Sequence, residues 1–217
     1  MLQELLNGLE ETLFMVFSAG LLTWLIGLPL GTLLAVTGPD KILENAYLRN
    51  TLSVLIHTTR NIPYVAFMVA LIPLTKWVIG TSEGSIAAIV PLTLAAIPFF
   101  AEACESAINK LQPGLIEAAR SVGATSFQIL YKVLIPEALP SIISGLTSTL
   151  TRLVGYSTIA GALGGGGLGG LIVLRGYQNF QPEFVWGTLL ILLALVLSIQ
   201  TCGDYIANGN AQNTIAD

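Results

Sequence analysis

The sequence predicts an all-α fold, a polytopic bundle of membrane-spanning helices, and two observations carry that prediction. Of its 217 residues, 53% are hydrophobic and only 10% charged, against roughly 25% charged residues in soluble domains. Uncharged runs cover residues 12–38, 84–101, 153–174 and 184–203, each near or above the roughly 20 residues that a helix needs to cross about 30 Å of hydrocarbon. Period-2 alternation is missing, which excludes a membrane β-barrel.

Five spans are expected, at about residues 12–36, 53–75, 84–103, 139–162 and 184–206, in a single permease-like membrane domain covering residues 1–217. The first is read as a permanent span rather than a secretory signal, because no Lys or Arg precedes Lys41 and the opening stretch is acidic. The second is the least regular, holding Arg60 and interrupted by Pro63 and Pro73. Prolines 29, 91 and 98 also fall inside spans, where membrane helices tolerate them. Little amphipathic contrast is expected in these spans, as suits helices that face lipid and one another.

Five crossings put the two ends on opposite sides of the membrane. One assignment places Lys41, Arg49, Arg60, Lys110, Arg120 and Lys132 on the inner side and only Lys76 and Arg175 on the outer. The positive-inside rule selects it: N-terminus outside, C-terminus and the 105–138 loop in the cytoplasm. The tail after Tyr205 has no basic residue to reinforce the choice.

Within that loop Leu115, Ala118, Ala119 and Val122 recur at i, i+3, i+4 and i+7 and predict a short helix. Gly123 falls where a helix C-terminus needs positive φ. Thr125-Ser126-Phe127-Gln128 then fits a capping box, starting a second helix with the stripe Phe127, Leu130, Tyr131 and Leu134 that Pro136 is expected to stop. Two fates for these apolar stripes stay open: packing on the protein's own spans, or docking in a partner's groove.

Glu117-Ala118-Ala119, Gly123, Val133 and Ile135-Pro136 resemble the EAA loop of ATP-binding-cassette (ABC) importer permeases, with Val and Ile standing where that pattern has Ile and Leu. Arg60-Asn61-Ile62-Pro63, Ile72-Pro73-Leu74-Thr75, Gly80-Thr81-Ser82, and Leu153-Val154-Gly155-Tyr156 leading to Gly164–Gly169 extend the likeness, over about residues 12–206, to permease subunits of methionine ABC importers. The resemblance implies a type I importer permease fold and a homodimer embedded in the lipid bilayer. It also implies that Glu117, Ala118, Ala119, Gly123, Thr125, Phe127, Gln128, Val133, Ile135 and Pro136 form the loop coupled to a cytoplasmic ATPase dimer, while an external binding protein delivers substrate. ATP and its Mg²⁺ would then belong to the partner. The chain contains no Gly-Lys dipeptide and hence no Walker A loop. No cofactor, catalytic residue or nucleic-acid contact is expected in this chain.

Arg152 lies about 12 residues into span four, roughly 18 Å along a helix, where charge is costly and functional by default. Pathway lining, an intersubunit pair, snorkelling and substrate recognition all stay open for it. Tyr156 and the run Gly164, Gly165, Gly166 and Gly167 are candidate pathway-lining residues. The literal GxGxxG starting at Gly165 follows a membrane span rather than a strand, so it is read as an external or re-entrant turn and not a nucleotide site. Glu102 and Glu105 are expected to pair with Arg60 or Arg120. His57 has no second ligand nearby, so no metal site is expected, and Cys104 and Cys202 are read as packing residues. Two functional alternatives stand beside methionine import: a permease of the same class for another amino acid or small peptide, and a secondary transporter driven by an ion gradient.

Overall fold

The computed structural model describes residues 1–39 and 41–216, with side chains described as far as residue 209. The described residues form helices joined by short turns, with no strand. They are α1 (Leu2–Val36), α2 (Ala46–Arg60), α3 (Tyr64–Ala70), α4 (Ile72–Ile79), α5 (Ser85–Asn109), α6 (Pro113–Ser121), α7 (Ser126–Ile129), α8 (Ile135–Ala160), α9 (Gly167–Leu171) and α10 (Pro182–Ala216). Four helical segments among the described residues are long and apolar enough to cross a membrane: Leu2–Val36, Ser85–Asn109, Ser126–Gly165 and Pro182–Gly209.

Small residues set how these four pack. With no water to expel between helices in lipid, close backbone approach does what hydrophobic burial does elsewhere. Gly27 and Gly31 of α1 lie against α5, where an added Cβ would come 2.9 Å from the Phe100 ring and 2.6 Å from the Cys104 Cβ. Since Gly27 meets Ile97 and Phe100 while Gly31 meets Ala101 and Cys104, α1 and α5 run in the same direction. The α8 helix and the turn that follows it run against them, bringing Gly145 to Ala103 and Gly165 to Ala88. Finally α10 starts beside Leu5 at Gly187 and reaches Thr147 of α8 at Gly203.

Two apolar cores result. One gathers Met15, Val16, Leu92, Ala96, Leu153 and Val154 in the middle of the bundle. The other holds Val36, Phe100, Cys104, Ile108, Ile129, Leu130 and Leu134 at the end where the 105–138 loop sits. That loop is therefore bolted to the spans rather than hung from them.

The stretch expected to be a span over residues 53–75 is three helices instead. Pro63 has no N–H to donate and disfavours helical geometry at Ile62, so α2 ends at Arg60; a second break follows at Leu71, where Pro73 enters the first turn of α4. Arg49 of α2 reaches Glu105 (3.1 Å) and the Leu34 carbonyl (2.7 Å), while Arg60 pairs with Glu102. Those arginines are about 16 Å apart along a straight helix but the two carboxylates only about 4.5 Å apart along α5. It follows that α2 crosses α5 obliquely, leaving α3, through Tyr64 and Met68, to pack beside Leu92 and Ala95.

Other expectations shift as well. The first and fifth spans are longer than the sequence runs, starting at Leu2 and Pro182. Pro136 does not stop the second loop helix: a π-helical turn over Leu130–Leu134 absorbs the missing donor, and the helix continues from Ser126 into α8. Glu105 pairs with Arg49, not Arg120. Cys104 is buried as expected, but Cys202 is exposed on α10.

Candidate functional site

The loop helices α6 and α7 meet at a joint in which every expected device is formed. Gly123 has φ +80°, and the Gly123 and Ala124 amides donate to the carbonyls of Arg120 (3.0 Å) and Ala119 (3.1 Å). This is the Schellman arrangement, closing two carbonyls that the end of α6 would otherwise leave unpaired. Thr125 Oγ1 accepts from the Gln128 amide, while Gln128 Oε1 accepts from the Thr125 amide. Ser126 Oγ donates to the Ile42 carbonyl (3.3 Å), tying the joint to the turn after α1.

Each loop helix divides its apolar residues between two surfaces. Ile129, Leu130 and Leu134 are buried in the lower core, with Ile116, Ala119, Ala124 and Ile135 packed against it. Ala118, Val122, Phe127 and Tyr131 face outward; Val122 is 82% and Phe127 67% exposed. The Phe127 and Tyr131 rings hold each other at 4.5 Å between centroids. Glu117, Gln128 and Pro136 are exposed around this patch, and Val133 is half-buried. Packing on the protein's own spans is thus realised on one face, and the opposite face is left exposed.

The capping box gives a graded test. Thr125→Ala removes one cap acceptor, worth about 0.5–2 kcal/mol, but leaves the glycine joint and the buried face. A small drop in thermal stability of the purified protein, with α6–α7 amides exchanging faster in hydrogen–deuterium exchange, is the expected result.

A second site lies higher, where α2, α5 and α8 converge on a cleft of about 300 Å³ lined by Arg60, Phe99, Glu102, Ser148, Thr149 and Arg152. Two guanidinium groups face the Phe99 ring, Arg152 at 4.2 Å and Arg60 at 5.0 Å from its centroid, a cation–π geometry. Tyr156 stacks on Tyr64 at 4.1 Å and tilts against Phe99 at 6.5 Å. Arg60 is bound to Glu102, whereas among the described residues no carboxylate pairs with Arg152. Arg60 Nε and the Tyr64 hydroxyl are buried without hydrogen-bond partners among the described residues.

The glycine run forms a packed reversal at the opposite end of the bundle from the loop. Gly164, Gly166 and Gly167 all have positive φ, at 101°, 79° and 68°, and the Gly84 amide donates to the Gly164 carbonyl (2.9 Å). Gly165 and Gly167 are buried, Gly166 is half-buried and Gly164 exposed. A Glu11 carboxylate oxygen accepts from the Gly167 amide and Thr12 Oγ1 from that of Leu168 (2.9 Å), so α1 caps the first amides of α9. Arg175 beyond α9 makes a two-pronged pair with Glu4, both contacts at 3.0 Å.

A family model described as binding-protein-dependent transport system inner membrane component matches residues 27–212. The chain belongs to that family. Among similar proteins is a probable D-methionine transport system permease protein of Vibrio cholerae, 45% identical over 200 residues that cover 92% of this chain and 89% of the relative. The D-methionine transport system permease protein of Escherichia coli K12 is 48% identical over 161 residues, 74% of each chain. The fold matches a structure described as inward-facing conformations of the MetNI methionine ABC transporter, with TM-score 0.95, 45% identity and 97% of both chains covered. A more distant amino acid ABC transporter, at 22% identity and TM-score 0.76, shares the fold.

For this inner membrane component, sequence reasoning located the loop and singled out Arg152 and Tyr156 but missed Phe99, Glu102 and Arg60 as their neighbours. A signal was present on α8: Gly145, Ser148, Thr149 and Arg152 recur at helical spacing and form a stripe of small and polar residues that ends on the only charge after Glu137 in that helix. Nothing comparable marked Phe99, which stands beside Phe100 in an apolar run of α5.

Proposed function

We propose that this chain is the permease subunit of an ATP-driven importer for methionine or a close analogue, working as a homodimer in the bilayer with a cytoplasmic ATPase dimer beneath it. The observation that carries the reading is the exposed apolar face of Ala118, Val122, Phe127 and Tyr131 on a helix pair whose other face is fixed in the lower core. The likeness to D-methionine permeases and to a methionine ABC transporter supplies the substrate and the ATPase; an external binding protein would deliver the amino acid, as membership of a binding-protein-dependent transport family implies. ATP and Mg²⁺ are held by the ATPase.

A fifth crossing follows from direction. Because α1 and α5 run the same way, the chain between them has to return, and α2–α4 is the only segment available to do so. Three short helices can make that passage at membrane depth only where neighbours satisfy their broken ends, here α5 beside them and the partner subunit. With Lys41, Lys110, Arg120 and Lys132 all at the loop end, that end is cytoplasmic and the N-terminus external.

The coupling works through rigidity. Force applied to the face around Phe127 passes through Leu130 and Leu134 into α8 without a flexible link, since the helix runs unbroken from Ser126. The span that carries Arg152 and Tyr156 therefore moves with the docking face, while Glu11 holds the outer end of α1 to the glycine reversal and Glu4 holds it to Arg175 beyond α9.

Phe127→Ala and Val122→Asp test the docking face. Buried aromatic anchors at interfaces commonly contribute 2 kcal/mol or more; a loss of ~10-fold or more in ATPase association is expected in pull-down from membranes, with unchanged permease thermal stability because both side chains are already exposed. Normal recovery of the ATPase with both variants would defeat the proposal.

A further inference from the structure

We propose that the cleft between α2, α5 and α8 is a transient seat for a zwitterionic α-amino acid with an apolar side chain, in which Arg152 binds the carboxylate over the Phe99 ring. The inference rests on the permease reading above and adds to it the groups that meet the substrate inside the membrane. Its argument starts from charge. A guanidinium within a membrane span needs an anion, water or a carbonyl to offset its desolvation, and Arg152 has the Phe99 face and no carboxylate among the described residues.

The cleft otherwise carries a matched pair, Arg60 with Glu102, so Arg152 gives it an excess of one positive charge. An α-carboxylate fits that excess, and a planar guanidinium receives it through two parallel N–H bonds. The substrate's ammonium then lies within reach of Glu102, which already takes a cation and has acceptor capacity left beyond a single Arg. Phe99 and Ala103 offer an apolar wall to a neutral side chain, and Tyr156, stacked on Tyr64, backs the Phe99 ring. The hydroxyls of Ser148 and Thr149 line the remaining edge. A volume of about 300 Å³ falls at the small end of ligand sites, suited to a single amino acid.

Nothing in this seat is deep. A path must release what it binds, and one open side with a single charged anchor gives weak, quickly reversible binding, which is what passage requires.

The test uses the permease–ATPase complex in nanodiscs, without binding protein, and saturation-transfer NMR, which registers weak ligands. The probes are methionine and methioninamide, which lacks the carboxylate charge. Wild type should give a methionine signal with an apparent affinity at least ~10-fold better than the amide, since a site built around an ionic partner rejects the analogue that lacks it. Arg152→Met should bring methionine down to the amide level, and Arg152→Lys should keep part of the preference. A wild-type complex that shows no preference overturns the seat, whatever the variants do. So does an Arg152→Met complex that keeps the preference, and if that variant instead weakens the dimer, Arg152 belongs to an intersubunit pair. Uptake by wild type with its ATPase and binding protein separates the two levels: with uptake present and no preference in the NMR, only the seat falls; with no methionine uptake at all, the permease reading falls and takes the seat with it.

Discussion

Gly31→Leu is expected to abolish the folded bundle. A Cβ at Gly31 would overlap the Ala101 carbonyl oxygen and stand 2.6 Å from the Cys104 Cβ. The carbonyl belongs to the backbone of α5 and cannot turn aside, so the helices must separate. Separation strips contacts from Leu34, Phe100 and Cys104, all fully buried. Overpacking alone costs typically 1–3 kcal/mol, and loss of the neighbouring contacts adds to it. Gly27→Ala should be milder, because its Cβ meets the Phe100 ring at 2.9 Å and a ring can tilt. Thermal unfolding and size-exclusion profiles in detergent give the measure. Equal stability of Gly31→Leu and wild type would mean that α1 and α5 do not pack through this face.

That contact was readable as Gly27-Leu28-Pro29-Leu30-Gly31, a G-x-x-x-G spacing that lets two membrane helices approach closely; the length of the apolar runs drew the reading elsewhere. Run length identified four spans and misjudged their ends, because Leu2–Glu11 and the stretch after Pro182 mix charge with apolar residues and extend as helix beside one another. The broken passage of α2–α4 carried its signs in Pro63, Pro73 and Arg60, yet hydropathy averages over such breaks. At the loop, the joint was legible, since a positive φ at Gly123 and the Thr125–Gln128 box depend only on neighbours in sequence, whereas the stop expected at Pro136 was not, because a π-helical turn carries the helix through it. Which apolar residues point inward was not, since Ala118 and Ala119 share one stripe and only tertiary packing separates them. Ala119 packs on the protein's own lower core, so enlarging it strains the fold, and Ala118 is the residue whose enlargement probes a partner's groove. The cleft was least legible, because Arg60, Phe99 and Arg152 come from three segments that no local pattern connects.

Gly123→Val is expected to uncouple the loop while leaving the spans folded. At φ +80° a β-branched residue is strained by about 1–2 kcal/mol, and no atom lies within 4 Å of the added Cβ position, so strain rather than collision decides the outcome. The chain relieves it by turning Gly123 to negative φ, which breaks the amide contacts to Ala119 and Arg120 and swings α6 away from α7. Ala118 and Val122 then no longer share a surface with Phe127 and Tyr131. The spans survive because Ile129, Leu130 and Leu134 stay buried and α7 runs on into α8. Gly123→Asn is the control, since Asn adopts the left-handed region far more readily than a β-branched residue. In liposomes with the ATPase and binding protein, Gly123→Val should reduce substrate-stimulated hydrolysis at least ~10-fold, the equivalent of about 1.4 kcal/mol, and Gly123→Asn should keep most of it. Full coupling in Gly123→Val would show that the angle between α6 and α7 does not transmit ATPase motion. Equal loss in both variants would place the effect in the side chain added at Gly123, not in the backbone conformation that glycine permits.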